Sequence, residues 1–226
     1  MNDGGSPDSA ILLPALGEPP SSLDQLREAL AVAGVAASVC GRGAGEFDDH
    51  VDAALHRLAS AVGDGRSGHG GVWLIGASYG GMVAAAAAAV ATAAGQSPAG
   101  LVLLDAPHPL SYRVISAVAG VRARQVLANP EGIDLAAALD RLGRECVPGR
   151  LDQVPLLVLA RGPGQWPGHD ADLPAADRIW MLHQQLWGLL SRRSRVDLLH
   201  GVGHAVAREA PAEAVRLVMS FAGSTS

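Results

Sequence analysis

A hydroxyl, an imidazole and a carboxylate acting together can open a carbonyl group, and this chain offers a candidate for each at the end of an apolar run. Ser78 lies in WLIGASYGG, inside Gly76-Ala77-Ser78-Tyr79-Gly80. That stretch fits G-x-S-x-G, in which the glycines leave room for a strained turn that lifts the serine side chain outward. With 28 glycines in the chain the pattern alone is weak, and a plain tight turn would read the same way. Its weight comes from its position between an apolar run and a helical one. A serine hydroxyl needs a base, and histidine, titrating near pH ~6.5, is the usual one. Of eight histidines, His204 in Gly201-Val202-Gly203-His204 is best placed, after the last apolar segment and before the final helical pattern. A lone histidine is ordinarily a surface or packing residue; the glycine-rich loop favours the base. The imidazole needs a carboxylate to fix its tautomer. Asp105 closes the apolar run in LVLLDAPHP, where a carboxylate is costly unless partnered or solvated. Its plainer reading is a turn cap, and Asp170 and Asp172 in PGHDADLP compete for the role.

The elements that must position these groups follow from the pattern of apolar residues. Ala10–Leu13, Val35–Val39, Val72–Ile75, Leu101–Leu104 and Pro155–Ala160, with the weaker Arg195–Leu199, read as strands. They are continuous rather than alternating, which suits a parallel sheet covered on both faces. Helical patterns lie between them at Ser22–Val32, Asp49–Ala61, Gly81–Ala94, Ala175–Leu190 and Ala212–Phe221, with Pro211 at a first helical position. Strands alternating with helices predict a single doubly wound α/β domain over residues 1–226. The stretch from His108 to Gln153 breaks the alternation and reads as a small helical lid, with pieces at Tyr112–Asn129 and Ile133–Leu142. Val62–Gly71, VGDGRSGHGG, reads as a surface loop. The alanine run after Ser78 lets a helix lie close against the sheet.

Composition removes several classes. Charged residues are 17% of the 226 and the formal net charge is -5, with no basic patch, so nucleic acid and anionic membranes are poor partners. Two cysteines argue against a disulfide framework or a four-cysteine zinc site. His108, His169, His183 and His204 have no ligand spacing, so no metal is expected. Gly41-Arg42-Gly43-Ala44-Gly45 lacks the last glycine of G-x-G-x-x-G because Glu46 stands there, and no dinucleotide or other cofactor is expected. The longest apolar run, Met82–Ala94, is about 13 residues where about 20 cross a bilayer. MNDGGSPDSA lacks the features of a secretion signal, so a soluble, cytoplasmic protein is expected.

Four stretches together resemble the α/β-hydrolase superfamily across nearly the whole chain. WLIGASYGG resembles its strand and nucleophile elbow. CGRGAGEFD is similar to D-x-R-G-x-G-x-S-D, with Cys40 and Phe47 in place of the first Asp and the Ser. ILLPALGEPPSSLDQL matches the oxyanion-loop segment, with Pro14-Ala15 where His-Gly is common. GVGHAVAREAP resembles the histidine loop G-x-G-H-x-x-x-x-E-x-P, with Glu209 and Pro211 in place. Few residues precede the first strand, so the resemblance implies a short form with a sheet of about six strands.

The resemblance implies Ser78 as nucleophile, His204 as base and an oxyanion hole built from the backbone N–H groups of Leu16 and Tyr79. In many members the acid stands in H-G-x-x-D after the following strand; here ARGPGQW puts Gln165 in that slot. Asp105 matches the position after the preceding strand that some members use. The implied activity is hydrolysis of an ester or thioester of a small to medium apolar acyl group, the substrate a small molecule or an acyl group on CoA or a carrier protein. Tyr112, Trp180 and Trp187 are candidates for shaping the acyl pocket, though each reads as readily as packing, and His108 for lining the mouth. Two rivals remain: a lyase or cyclising enzyme of natural-product biosynthesis, for example one eliminating acetate from a tetronate, and a binding module without turnover.

Overall fold

The computed structural model describes residues 7–41, 43–63, 71–111, 114, 131–165 and 173–224. Six strands are present: β1 (Ser9–Leu13), β2 (Ala36–Val39), β3 (Val72–Ala77), β4 (Gly100–Leu104), β5 (Leu156–Arg161) and β6 (Ser194–Leu199). They form one sheet in the order β2-β1-β3-β4-β5-β6 with every pairing parallel. The helices are α1 (Asp24–Val32), α2 (Phe47–Gly63), α3 (Tyr79–Ala93), α4 (Leu135–Glu145), α5 (Leu173–Trp187), α6 (Val206–Glu209) and α7 (Pro211–Ser224), with short 3-10 turns at Pro20–Leu23 and Gly188–Leu190.

The inner strands β1, β3, β4 and β5 are largely apolar on both faces because both faces are covered, whereas the edge strands β2 and β6 are partly exposed. Side chains alternate along each strand. Ile11, Leu13, Leu74, Leu101, Leu103, Leu156 and Val158 join the core under α2, α3 and α4. Their neighbours Ala10, Leu12, Trp73, Ile75, Val102, Leu104, Leu157 and Leu159 join the core under α1, α6 and α7. Each strand is within a residue or two of its sequence expectation. The clearest offset is Val35, which belongs to the end of α1. Gly34 takes φ 83°, its N–H bonds the Ala31 carbonyl, and the Val35 N–H reaches back to Leu30. This Schellman ending satisfies the last helical carbonyls before β2 begins.

Strand order reverses between β1 and β3, since β2 lies outside β1 while β3 to β6 run the other way. The crevice at such a switch point, beyond the carboxyl ends of the strands, is where open parallel sheets bind ligands. Leu13 and Gly76 pair at that edge, followed by Pro14 and Ser78.

Helix α3 explains the alanines. Met82 to Ala89 are all buried, and the helix touches β1, β3 and β4 beneath it and α2 and α4 beside it. From Ala84 to Ala89 every residue is alanine and 0% exposed, so small side chains fill the layer between the helix and its neighbours. Two expectations need adjustment. α2 continues through Gly63, so Val62 is helical rather than in the loop, of which residues 64–70 lie outside the described ones. Of the expected lid, 112–113 and 115–130 are likewise outside. α4, capped by an Asp134 carboxylate that accepts the Ala137 N–H at 3.0 Å, packs Ala138, Leu139 and Leu142 into the main core rather than standing over it.

Substituting Ala86→Leu overfills this layer and is expected to cost about 1–3 kcal/mol, lowering Tm by several degrees at about 2–4 °C per kcal/mol. Ala93→Leu, at the exposed end of the same helix, leaves Tm nearly unchanged. Differential scanning calorimetry of the two variants checks the contrast.

Candidate active site

Ser78 sits between the last residue of β3 and the first of α3 with φ 49° and ψ -119°, a sparsely populated conformation costing about 1–3 kcal/mol. Its neighbours show what imposes it. The Ser78 N–H bonds the Leu104 carbonyl at 2.9 Å, continuing the sheet ladder, while the Gly81 N–H already bonds the Ser78 carbonyl at 2.8 Å in the first helical turn. The chain therefore passes from strand to helix across a single residue. Both motif glycines are forced by contact: a Cβ on Gly76 would stand 2.3 Å from the Gly80 carbonyl oxygen, and one on Gly80 would stand 2.2 Å from the Leu13 carbonyl oxygen. The second approach seats the elbow against the segment after β1.

Three side chains from distant parts of the chain meet in a row. His204 Nε2 and Ser78 Oγ are 2.9 Å apart, and His204 Nδ1 and Asp105 Oδ2 are 2.6 Å apart. A carboxylate at Nδ1 fixes the proton there and leaves Nε2 as an acceptor for the serine hydroxyl. The histidine is 44% exposed and the acid 0%, so the row runs from the accessible surface into the dry interior. The His204 loop is held by Glu209, whose two carboxylate oxygens accept the Gly203 N–H at 2.6 Å and the Ala205 N–H at 3.3 Å. That is what the spacing between histidine and glutamate in GVGHAVAREAP accomplishes here.

Asp105 also has positive φ, 47°, tolerable for aspartate, and its N–H bonds the Leu159 carbonyl at 2.8 Å. Its buried carboxylate has no solvent and is surrounded by donors. Oδ1 accepts the Trp180 indole N–H at 2.8 Å and the Arg161 backbone N–H at 3.1 Å. The Arg161 guanidinium, itself 1% exposed, lies 3.6 Å from Oδ2 through Nε and 3.1 Å from Asp177 through Nη2, and stacks over Trp180 at 5.3 Å. Burial pushes the Arg161 guanidinium below its ordinary range, and the Asp105 and Asp177 carboxylates pull it back up. Asp177 in turn accepts the Gly164 N–H at 2.9 Å.

Arg161, Asp177 and the supporting role of Trp180 escaped the sequence reading. One signal was present: Arg161 ends the apolar run LLVLAR, and a cation there demands buried anions. Asp177 and Trp180 stand three apart on α5, hence on one face. Trp180 and Trp187, candidates for an acyl pocket that read more readily as packing residues, are buried and bonded to the chain, Trp187 through its indole N–H to the Ala106 carbonyl at 3.0 Å. The Trp180 ring also meets the His204 ring edge-on at 5.8 Å. Tyr112, Asp170 and Asp172 lie outside the described residues, and Gln165 is exposed. His108 packs on Trp187 and His183, and burial with the neighbouring His183 lowers its pKa to about 4.

The segment after β1, from which Leu16 was expected to supply an oxyanion donor, is a turn. The Glu18 N–H bonds the Ala15 carbonyl at 3.2 Å and Gly17 takes φ 74°, the geometry of a type II turn centred on Leu16 and Gly17. The Gly17 N–H donates to Glu131 at 2.6 Å. Tyr79, the other predicted donor, opens α3, and its buried hydroxyl pairs with His50 Nδ1 at 2.9 Å while His50 Nε2 faces the Gly43 carbonyl at 3.2 Å. A carbonyl can only accept, so Nε2 carries the proton and the Tyr79 O–H donates to Nδ1. Among the described residues no cluster of His, Cys, Asp and Glu could hold a metal ion, and no helix is long and apolar enough to cross a membrane.

Neither a protein-family model nor a curated protein sequence matches the chain. Solved structures do. A thermophilic esterase from Thermogutta terrifontis, with malate bound, is 19% identical at TM-score 0.59, covering 98% of this chain and 91% of its own. Tomato methylketone synthase I complexed with 2-tridecanone is 14% identical at TM-score 0.64, covering 97% and 99%. YbtT, a type II thioesterase from the yersiniabactin pathway, is 15% identical at TM-score 0.63, covering 99% and 95%. At these identities the likeness establishes the fold. The chain has the α/β-hydrolase fold, with an all-parallel sheet of six strands among the described residues.

If the elbow is strained by design, removing the side chain should relieve it. Ser78→Gly is expected to be more stable than Ser78→Ala by about 1 kcal/mol, strain relief outweighing the extra chain entropy of glycine. Urea denaturation of the two variants measures the difference; an alanine variant as stable as the glycine one contradicts it.

Proposed function

We propose that this protein is a serine hydrolase that cleaves an ester or thioester of a small to medium apolar acyl group. The observation that carries the reading is the unbroken row Ser78–His204–Asp105, with contacts of 2.9 and 2.6 Å. His204 Nε2 takes the proton from Ser78 as Oγ attacks the carbonyl carbon. The tetrahedral intermediate collapses when the imidazolium gives that proton to the departing alcohol or thiol, leaving an acyl-serine. Water, deprotonated by the same imidazole, then adds to the acyl carbon; the proton returns to Ser78 Oγ and the acid departs. Asp105 holds Nδ1–H toward itself throughout and balances the transient positive ring.

The developing negative charge on the substrate oxygen falls to the backbone N–H groups of Tyr79 and Leu16, each such donor contributing about 3 kcal/mol. The reading draws support from the elbow's contact with the Leu13 and Pro14 carbonyls, which brings the two segments together. Acyl groups carried on CoA or a carrier protein fit the same chemistry. One observation favours a second reading: Pro14 replaces the usual His-Gly start of the loop and the Gly17 N–H is occupied by Glu131. A loop so altered suits an elimination in which His204 removes a proton and Ser78 forms no lasting acyl bond.

Incubation with a fluorophosphonate probe separates these readings from a module that only binds. The wild-type chain is expected to gain the phosphonyl mass on Ser78, with fluoride released, and Ser78→Ala to gain none. Asp105→Asn is expected to lower the labelling rate and the turnover of p-nitrophenyl or acyl-thioester substrates by about 10^3–10^4-fold, the loss seen when histidine is left in the wrong tautomer. Intact mass spectrometry that finds wild-type protein unlabelled, or Ser78→Ala labelled equally, rejects the nucleophile.

A further inference from the structure

The cluster behind Asp105 has a composition that the triad alone does not require. Two carboxylates, Asp105 and Asp177, flank one buried guanidinium, Arg161. Counted as ions they sum to one negative charge, and a protonated His204 brings the sum to zero. The interior is therefore charge-balanced in the state His204 reaches while the reaction proceeds, and carries one excess negative charge at rest.

Resting on the hydrolase reading, we propose that Arg161 and Asp177 are a paired set of positioning residues that tune His204 in opposite directions. Arg161 holds Asp105 in a water-free site and withdraws part of its charge from the imidazole, while Asp177 restores that charge through Arg161. The geometry gives each a distinct route. The Arg161 guanidinium lies 3.6 Å through Nε from the same oxygen, Oδ2, that His204 Nδ1 contacts, and the Arg161 backbone N–H fixes the other oxygen. Asp177 draws the guanidinium away through Nη2 and is tied by its other oxygen to the loop after β5 through Gly164. Trp180 closes the set, donating to Asp105 on one edge and meeting the His204 ring on another.

The charged and titratable groups that face the His204–Asp105 pair among the described residues are few. They are Arg161 from β5, Asp177 from α5 and Glu209 from α6, whose carboxylate is bound to the amides beside His204. His108, three residues beyond Asp105, faces Trp187 and His183 instead. Arg208 on α6 pairs with Glu18 at 3.4 Å. Among the described residues, Arg161 and Asp177 are the charged side chains that lie on the Asp105 side of the pair without touching the reacting atoms.

Removing a cation near a histidine eases its protonation and removing an anion hinders it. The proposal therefore predicts two shifts of opposite sign. In Arg161→Met the acid limb of the pH–rate profile moves to higher pH by about 1 unit, because imidazolium forms more readily and the base is lost sooner as pH falls. In Asp177→Asn, which keeps the shape and an acceptor for Gly164, the limb moves to lower pH, and the double variant lies between. A packing role would lower the rate without such a split.

The rate of Ser78 labelling by the fluorophosphonate probe, followed from pH 4 to 9, gives the profile without knowledge of the substrate. Circular dichroism and Tm confirm that each variant is folded. Should Arg161→Met fail to fold, Asp177→Asn alone still decides, since its expected displacement is to the acid side; a profile that stays in place or moves to the alkaline side overturns the proposal. Labelling of wild-type Ser78 is the separate control for the hydrolase reading: if it fails, that reading falls, whereas labelled wild type with unmoved variant profiles rejects only the paired tuning.

Discussion

A carboxylate with no exposure to water sits at the centre of this molecule. Desolvating an ion of that size costs several kcal/mol even after the protein relaxes, so Asp105 can persist only where donors have replaced its hydration. The structure supplies them from every side: an indole N–H, a backbone N–H, a guanidinium and an imidazole. They come from three residues on three different elements, Arg161, Trp180 and His204. The carboxylate thereby ties β5, α5 and the loop after β6 to the end of β4, and the positions of His204 and Trp180 follow from the need to satisfy it.

The second constraint is steric and acts at the opposite end of the row. Ser78 is held in a strained conformation because the sheet ladder and the first turn of α3 share one residue between them. The strain is sustained by packing: α3 lies so close to the sheet that Gly76 and Gly80 have no space for a methyl group, and the alanines behind them line the same narrow gap. The small-residue composition of this helix and the exposure of the serine are one feature seen at two scales. A wider gap would let the turn relax and the hydroxyl would lose its direction toward His204.

These two constraints also account for the placement of the acid. The loop after β5 could carry a carboxylate in this fold, but Gln165 stands there and is exposed. Arg161, at the end of the same strand, is buried between Asp105 and Asp177. With a buried cation on β5, the anion that complements it belongs on the neighbouring strand, and Asp105 is the residue that β4 offers. The acid's position and the arginine's burial are two sides of one electrostatic fit, with Asp177 completing it.

What local pattern decides was legible in the amino-acid sequence. Continuous Val, Leu and Ile runs marked the inner strands to within a residue or two, since a strand covered on both faces has no polar side to show. Gly76 to Gly80 announced a turn around a serine, because only glycine permits so close an approach, and the glycines before His204 marked its loop. Asp105 was distinguishable as the polar end of an apolar strand and was the favoured acid, yet Asp170 and Asp172 remained rivals there, since sequence separation says nothing about which carboxylate comes to lie beside a given imidazole. The burial of Arg161 between two carboxylates, the indole N–H of Trp180 aimed at the acid rather than at a pocket, and the packing of α4 into the core were decided only by the tertiary structure. Each depends on contacts between residues far apart in the chain, and such contacts leave no periodic trace in the order of amino acids.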